Sequence, residues 1–223
     1  NRISKKTVQR YKSTLTKIEE FEAWKGGKLR LEHIDLKFYR EFVNYYIDLG
    51  NKNNTIGSYI SHIKMWCKDI ELQGLPISQQ YKHREFKAIT NKTSDPYLTE
   101  FEIDRVFNYD FSDNPRLSRV RDLFIIGLRT GLRISDFLRL KDINLKDGYI
   151  NITTVKTGDS VTIPLHYQVQ KVLERNGNKL PSTISDQKFN EYVKEVCRLV
   201  GLNEEFEGSK SMKVVVKEAT TTT

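Results

Sequence analysis

The strongest constraint on this chain is a helix that must stop and start again. Residues Leu117 to Arg129 form an apolar helical run. It breaks at Gly131 and restarts as a short helix around Ser135, within the stretch TGLRISDFLRL from Thr130 to Leu140. Gly131 occupies the position where a helix C′ residue turns left-handed. Arg133 falls in the joint, and Asp136 follows at a three-residue spacing that lets a carboxylate hold a guanidinium in place. A planar, permanently charged fork suits phosphate recognition. Arginines near helix ends are also common as solvated or paired surface groups, and this stretch alone leaves both readings open.

The segment that follows adds a second cation. Tyr149 to Val155 and Val161 to Leu165 are β-rich and are separated by Lys-Thr-Gly-Asp-Ser, so they read as a hairpin with Lys156 at the mouth of its turn. TGLRISD-x-L-x-L, then a strand, a Lys-Thr-Gly turn and a second strand ending in Ile-Pro-Leu, resembles the catalytic domain of the tyrosine recombinase (phage integrase) family. The likeness rests on residue types, order, spacing and secondary structure together.

The N-terminal part is patterned differently. Val8, Tyr11, Leu15, Ile18, Phe21 and Trp24 recur at helical spacing, ended by Gly26-Gly27, and a second helix is expected from about Asp35 to Leu49. A third is expected from about Thr55 to Leu72 and a short fourth from about Gln79 to Ile89. At the start of the third, Thr55, Ser58 and His62 lie on its polar side beside Lys52. Small polar groups there suit phosphate binding, and serve equally as capping chemistry. Residues 1–90 hold 17 Lys plus Arg against 10 Asp plus Glu, whereas the remaining 133 hold 20 against 19. Lys5, Lys6 and Arg10 belong to an opening of 18 residues with six basic side chains and no acidic one. Such a basic region points to a polyanion, most simply nucleic acid. Four short amphipathic helices with this bias resemble the SAM-like core-binding domain of the same family.

Other chemistries find little support. Cys67 and Cys197 are the only cysteines and lie in no CxxC pair, so free thiols in a reducing, cytoplasmic compartment are expected. His33, His62, His83 and His166 are scattered without metal-ligand spacing, and no metal or cofactor is expected. No run of eighteen apolar residues exists to cross a membrane, and NRISKKTVQR has no apolar stretch of a secretory signal.

The expected fold is mainly α: a four-helix core-binding domain over residues 1–90, a linker at 91–96, and a truncated α+β catalytic domain with a small antiparallel sheet over 97–223. The resemblance implies a partner, double-stranded DNA, with self-association as dimer or tetramer upon it. It also implies strand cleavage by a tyrosine through a 3′-phosphotyrosine. Arg133 would match the first catalytic arginine, Asp136 its supporting carboxylate (more often Glu in the family), and Lys156 the general acid for the departing 5′-oxygen. The family's His-x-x-Arg box is missing from the sequence, and no tyrosine follows in the required order. The expectation is therefore a fragment, of bacterial origin and nucleoid-associated when bound, that binds DNA without cutting it. The alternative is a non-catalytic DNA-binding regulator on the same fold, and a third reading is a helical protein–protein module.

Overall fold

A computed structural model describes residues 3–93 and 97–204 of the 223-residue chain. These residues divide into two compact units. The run Val214 to Val216, whose β-branched side chains suggest a strand, lies outside the described residues.

The N-terminal unit contains three α-helices, α1 (Lys5–Lys25), α2 (Leu36–Asp48) and α3 (Asn53–Leu72). Ser4 caps α1 by accepting from the Thr7 N–H, and Asp35 caps α2 by accepting from the Phe38 N–H. Phe21, Phe38, Phe42, Tyr46, Ile56, Ile60 and Ile63 form the core, and the Tyr46 hydroxyl donates to the Lys17 carbonyl at 2.6 Å.

Two details of this unit differ from expectation. The buried side of α1 is not the whole apolar stripe: Val8, Leu15 and Trp24 are 41, 51 and 59% exposed, while Thr14 is fully buried. Thr14 can occupy a core position because its hydroxyl meets His62 Nδ1 at 2.7 Å. The fourth helix is also absent, replaced by a 3₁₀ turn at Gln79–Lys82 followed by irregular chain. Long-range contacts take up the backbone there. Lys64 donates to the Phe86 carbonyl and Tyr39 to the Lys87 carbonyl, and the Ile89 carbonyl crosses so close to Gly57 that a Cβ there would sit 2.1 Å from it.

The second unit is built round α5 (Pro115–Thr130), with α4 (Glu100–Asn108), α7 (Tyr167–Arg175) and α8 (Asp186–Val200) packed on it. A capping box opens α4: Thr99 and Glu102 each accept from the other's backbone N–H. A short helix, α6 (Ile134–Phe137), leads to an antiparallel sheet of β1 (Leu145–Lys146), β2 (Tyr149–Thr153) and β3 (Ser160–Pro164), in that spatial order. Ile150 pairs with Ile163 and Ile152 with Val161, and the two β2 isoleucines are buried while their strand neighbours face out. β2 ends at Thr153 rather than Val155, which leaves Thr154 to Asp159 as the connection.

Candidate functional site

The joint between α5 and α6 is rigid because several side chains fix the end of α5. Arg129, almost fully buried, donates to Gln168 at 2.6 Å and to Glu100 at 2.9 Å, and Gln168 in turn donates to Asp104 at 2.7 Å. That network ties α4, α5 and α7 together. Gly131 then takes φ +63° and its N–H donates to the Gly127 carbonyl, closing α5. The Phe137 ring packs 3.0 Å from where a Cβ on Gly127 would stand, so α6 folds closely back on α5.

Arg133 is the N-cap residue of α6. Its carbonyl accepts from the Asp136 and Phe137 N–H groups, while its side chain is exposed. Among the described residues that guanidinium makes no hydrogen bond or ion pair. The expected hold of Asp136 on Arg133 is absent and needs correction. Asp136 is completely buried, and its Oδ1 accepts from the Val155 N–H at 2.8 Å and from Arg139 at 3.3 Å. Its partner is thus the arginine three residues after it, not the one three residues before. The cap geometry sends Arg133 outward, whereas Asp136 turns inward toward the hairpin. Its second oxygen, Oδ2, is buried without a hydrogen-bond partner among the described residues.

Lys156 is exposed in the turn that begins beside Val155. The turn closes on itself: Thr154 N–H donates to the Asp159 carbonyl at 2.8 Å, Gly158 N–H to the Thr154 carbonyl at 3.0 Å, and the Thr154 and Thr157 hydroxyls meet at 2.8 Å. Among the described residues Lys156 also has no hydrogen-bond or ion-pair partner. The bond from Val155 to Asp136 therefore links the element bearing Arg133 to the element bearing Lys156. Sequence spacing indicated each element and missed Arg139. Its signal was present, since an arginine follows Asp136 at the same three-residue interval.

In the N-terminal unit, Arg10, Thr55, Ser58 and His62 line one cavity of about 380 Å³, together with Ser13, Thr14, Asn54 and Tyr59. Lys52 is exposed at the α3 N-cap, and Lys5 and Lys6 are exposed in the first turn of α1; none of the three lines that cavity. Ser58 donates to the Asn54 carbonyl of its own helix. Burial, then the Arg10 guanidinium, hold His62 below the usual histidine range. The wall is thus a cation beside uncharged hydrogen-bonding groups. A cavity of about 440 Å³ in the second unit is lined by Arg121, Asp122 and Arg175, but Arg121 spends its donors on Asp122, Ser118 and the Tyr109 carbonyl.

Comparison with known proteins adds the family. The phage integrase SAM-like domain matches residues 1–74, and the phage integrase family matches residues 96–210. Among solved structures, a lambda integrase dimer bound to a COC′ core site is similar at 21% identity and a TM-score of 0.73, over 93% of this chain and 78% of that one. The Tn1549 transposon integrase in complex with circular intermediate DNA gives 15% and 0.68, over 92% and 76%. XerH site-specific recombinase bound to palindromic difH substrate gives 19% and 0.65, over 90% and 65%. Against a lambda integrase tetramer on a Holliday junction, the chain covers 61% of that chain's length. Among curated protein sequences none matches.

Proposed function

The chain belongs to the phage integrase family, and on that premise we propose that it carries the DNA-binding unit and the Arg133–Lys156 part of the catalytic unit of a site-specific tyrosine recombinase. The supporting observation is the Asp136–Val155 bond, which couples the two elements that present two exposed cations. On this reading Arg133 donates to the non-bridging oxygens of the scissile phosphate, where charge builds up as the phosphodiester is attacked. Lys156 protonates the departing 5′-oxygen. Asp136 acts indirectly, by anchoring the hairpin turn.

Duplex DNA is the proposed partner, gripped through the basic side chains Lys5, Lys6, Arg10 and Lys52 and through Thr55, Ser58 and His62. Self-association as a dimer or tetramer takes place on that DNA, in the bacterial cytoplasm where the nucleoid lies. The chemistry calls for neither metal nor cofactor. Residues 1–223 contain no His-x-x-Arg box, so this polypeptide is proposed to bind DNA without cleaving it.

Binding of a duplex followed across salt tests the reading. Six or more phosphate contacts predict a loss of about 10³ in affinity or more between 50 and 200 mM salt. A flat salt response removes the DNA partner from the proposal. Covalent capture of a nicked suicide duplex by residues 1–223 contradicts the expected inactivity.

A further inference from the structure

Arg139 belongs to none of the roles assigned above, yet it reaches both sides of the site. Its guanidinium donates to Asp136 Oδ1 from Nε at 3.4 Å and from Nη2 at 3.3 Å. Nη2 also donates to the Thr153 carbonyl, the last residue of β2. Asp136 Oδ1 meanwhile accepts from the Val155 N–H. One side chain therefore bridges α6 to the end of β2, two residues before the turn that carries Lys156.

Among the described residues, the remaining hydrogen bonds of that turn lie within it. Thr154 bonds to Asp159, Gly158 to Thr154, and Thr157 to Thr154, all inside the same loop. These bonds set its shape but not its position against α6. Position depends on the Val155 N–H and the Thr153 carbonyl, and both are held by the Asp136–Arg139 pair. Without its guanidinium partner, Asp136 would be a buried carboxylate with one oxygen already unpartnered and the other sustained by one backbone N–H. A buried carboxylate in that state is driven to turn toward water. That turn weakens the anchor.

We propose that Arg139 is a positioning residue: it holds Asp136 turned toward the hairpin, and so sets the place of Lys156 relative to Arg133. The inference rests on the proposed recombinase reading for the role of Lys156, but the latch can be measured without it. Arginine suits the task because its fork spans two acceptors that do not lie side by side.

The test uses the intact 223-residue chain as wild type, Arg139→Ala and Arg139→Lys, with amide hydrogen exchange read by NMR. In Arg139→Ala, the Val155 amide should lose protection by about tenfold or more, while Leu123 and Ile126 in α5 keep theirs. Arg139→Lys, able to serve one acceptor but not both, should fall between the two. A second arm follows the ¹³C-methylated Lys156 amine as a mixed-sequence DNA duplex is added. The wild-type signal should shift, Arg139→Ala should shift less, and Arg139→Lys should recover part of the difference.

Unchanged Val155 exchange in Arg139→Ala overturns the latch. Reduced duplex affinity with Val155 still protected also overturns it, by making Arg139 a direct DNA contact. A wild-type Lys156 signal indifferent to the duplex overturns the recombinase reading instead, and the exchange arm still decides the latch. Should Arg139→Ala lose protection throughout α5, the milder Arg139→Lys decides: selective loss at Val155 supports the role and uniform loss refutes it.

Discussion

The two units divide charge and chemistry unequally. Residues 1–90 carry nearly all of the net positive charge, while the remainder is almost balanced. Yet the balanced half holds the residues with a chemical pattern, and the basic half shows Arg10 and uncharged polar groups round a cavity. A phosphate-handling protein of this design obtains affinity from many weak, salt-sensitive contacts. It obtains catalysis from a few donors whose positions matter to within a fraction of an ångström. The contrast is testable because the two kinds of contribution respond differently to mutation.

The largest expected effect lies in the second unit. In a polypeptide that also carries the nucleophile, Arg133→Ala should lower strand cleavage by about 10²–10³, the scale of one lost transition-state donor. Duplex affinity should fall by less than about threefold, because one exposed cation among many contributes little to binding. Equal losses in cleavage and affinity would erase the division of labour. Single-turnover cleavage beside anisotropy binding separates the two.

Next comes Gly57→Ala. The added methyl would meet the Ile89 carbonyl at 2.1 Å, a backbone atom that cannot swing aside as a side chain would. Destabilisation of about 3 kcal/mol is expected in the N-terminal unit, from overpacking at a fully buried helix face. Chemical denaturation followed by Trp24 and Trp66 fluorescence reports on that unit, which holds both tryptophans. A change below about 1 kcal/mol would mean that the chain at Ile89 yields easily, contrary to its hydrogen bonds.

Smaller again is the effect of removing basic side chains. Replacing Lys5, Lys6 and Arg10 together by Ala should lower the slope of log affinity against log salt by about two to three units. Arg133→Ala should change it by about one unit at most. Equal slopes for wild type and the triple variant would take the start of α1 out of the interface.

Much of the fold could be read from local signals. Gly131, in left-handed conformation, and Gly26, likewise, mark the ends of α5 and α1 where the sequence suggested them. Failures occurred where a tertiary partner outweighed the local pattern. Thr14 is polar, yet it displaces Val8 and Leu15 from the core because His62 satisfies its hydroxyl. Gln79 to Ile89 looked helical, but Lys64 and Tyr39 take the Phe86 and Lys87 carbonyls, and the Ile89 carbonyl packs against Gly57. Asp136 had an arginine three residues away on each side, and spacing cannot distinguish them. The difference arises from the N-cap backbone of Arg133, with ψ 151°, which removes it from the helix to which Asp136 belongs.

The smallest effect sharpens the comparison through two histidines, one in each unit. His62 and His166 are both held below the usual histidine range, burial being the first cause and a neighbouring arginine the second, Arg10 for His62 and Arg129 for His166. In each case the folded chain binds fewer protons than the unfolded chain between the lowered value and the unfolded value of about 6.5, so stability declines as pH falls through that window. The two differ in surroundings. Glu100 and Asp104 oppose the shift at His166, whereas the cavity at His62 is lined by Arg10 and uncharged groups without a carboxylate. A DNA phosphate entering that cavity would favour the charged imidazole, so binding should take up a proton. Duplex affinity should then rise as pH falls from about 7 to about 6 while the stability of the unbound chain falls, two opposite trends to which His62 contributes. His62→Asn should abolish the affinity trend, and His166→Asn should leave it intact. If His62→Asn binds DNA with the wild-type pH profile, the phosphate does not sit at this cavity.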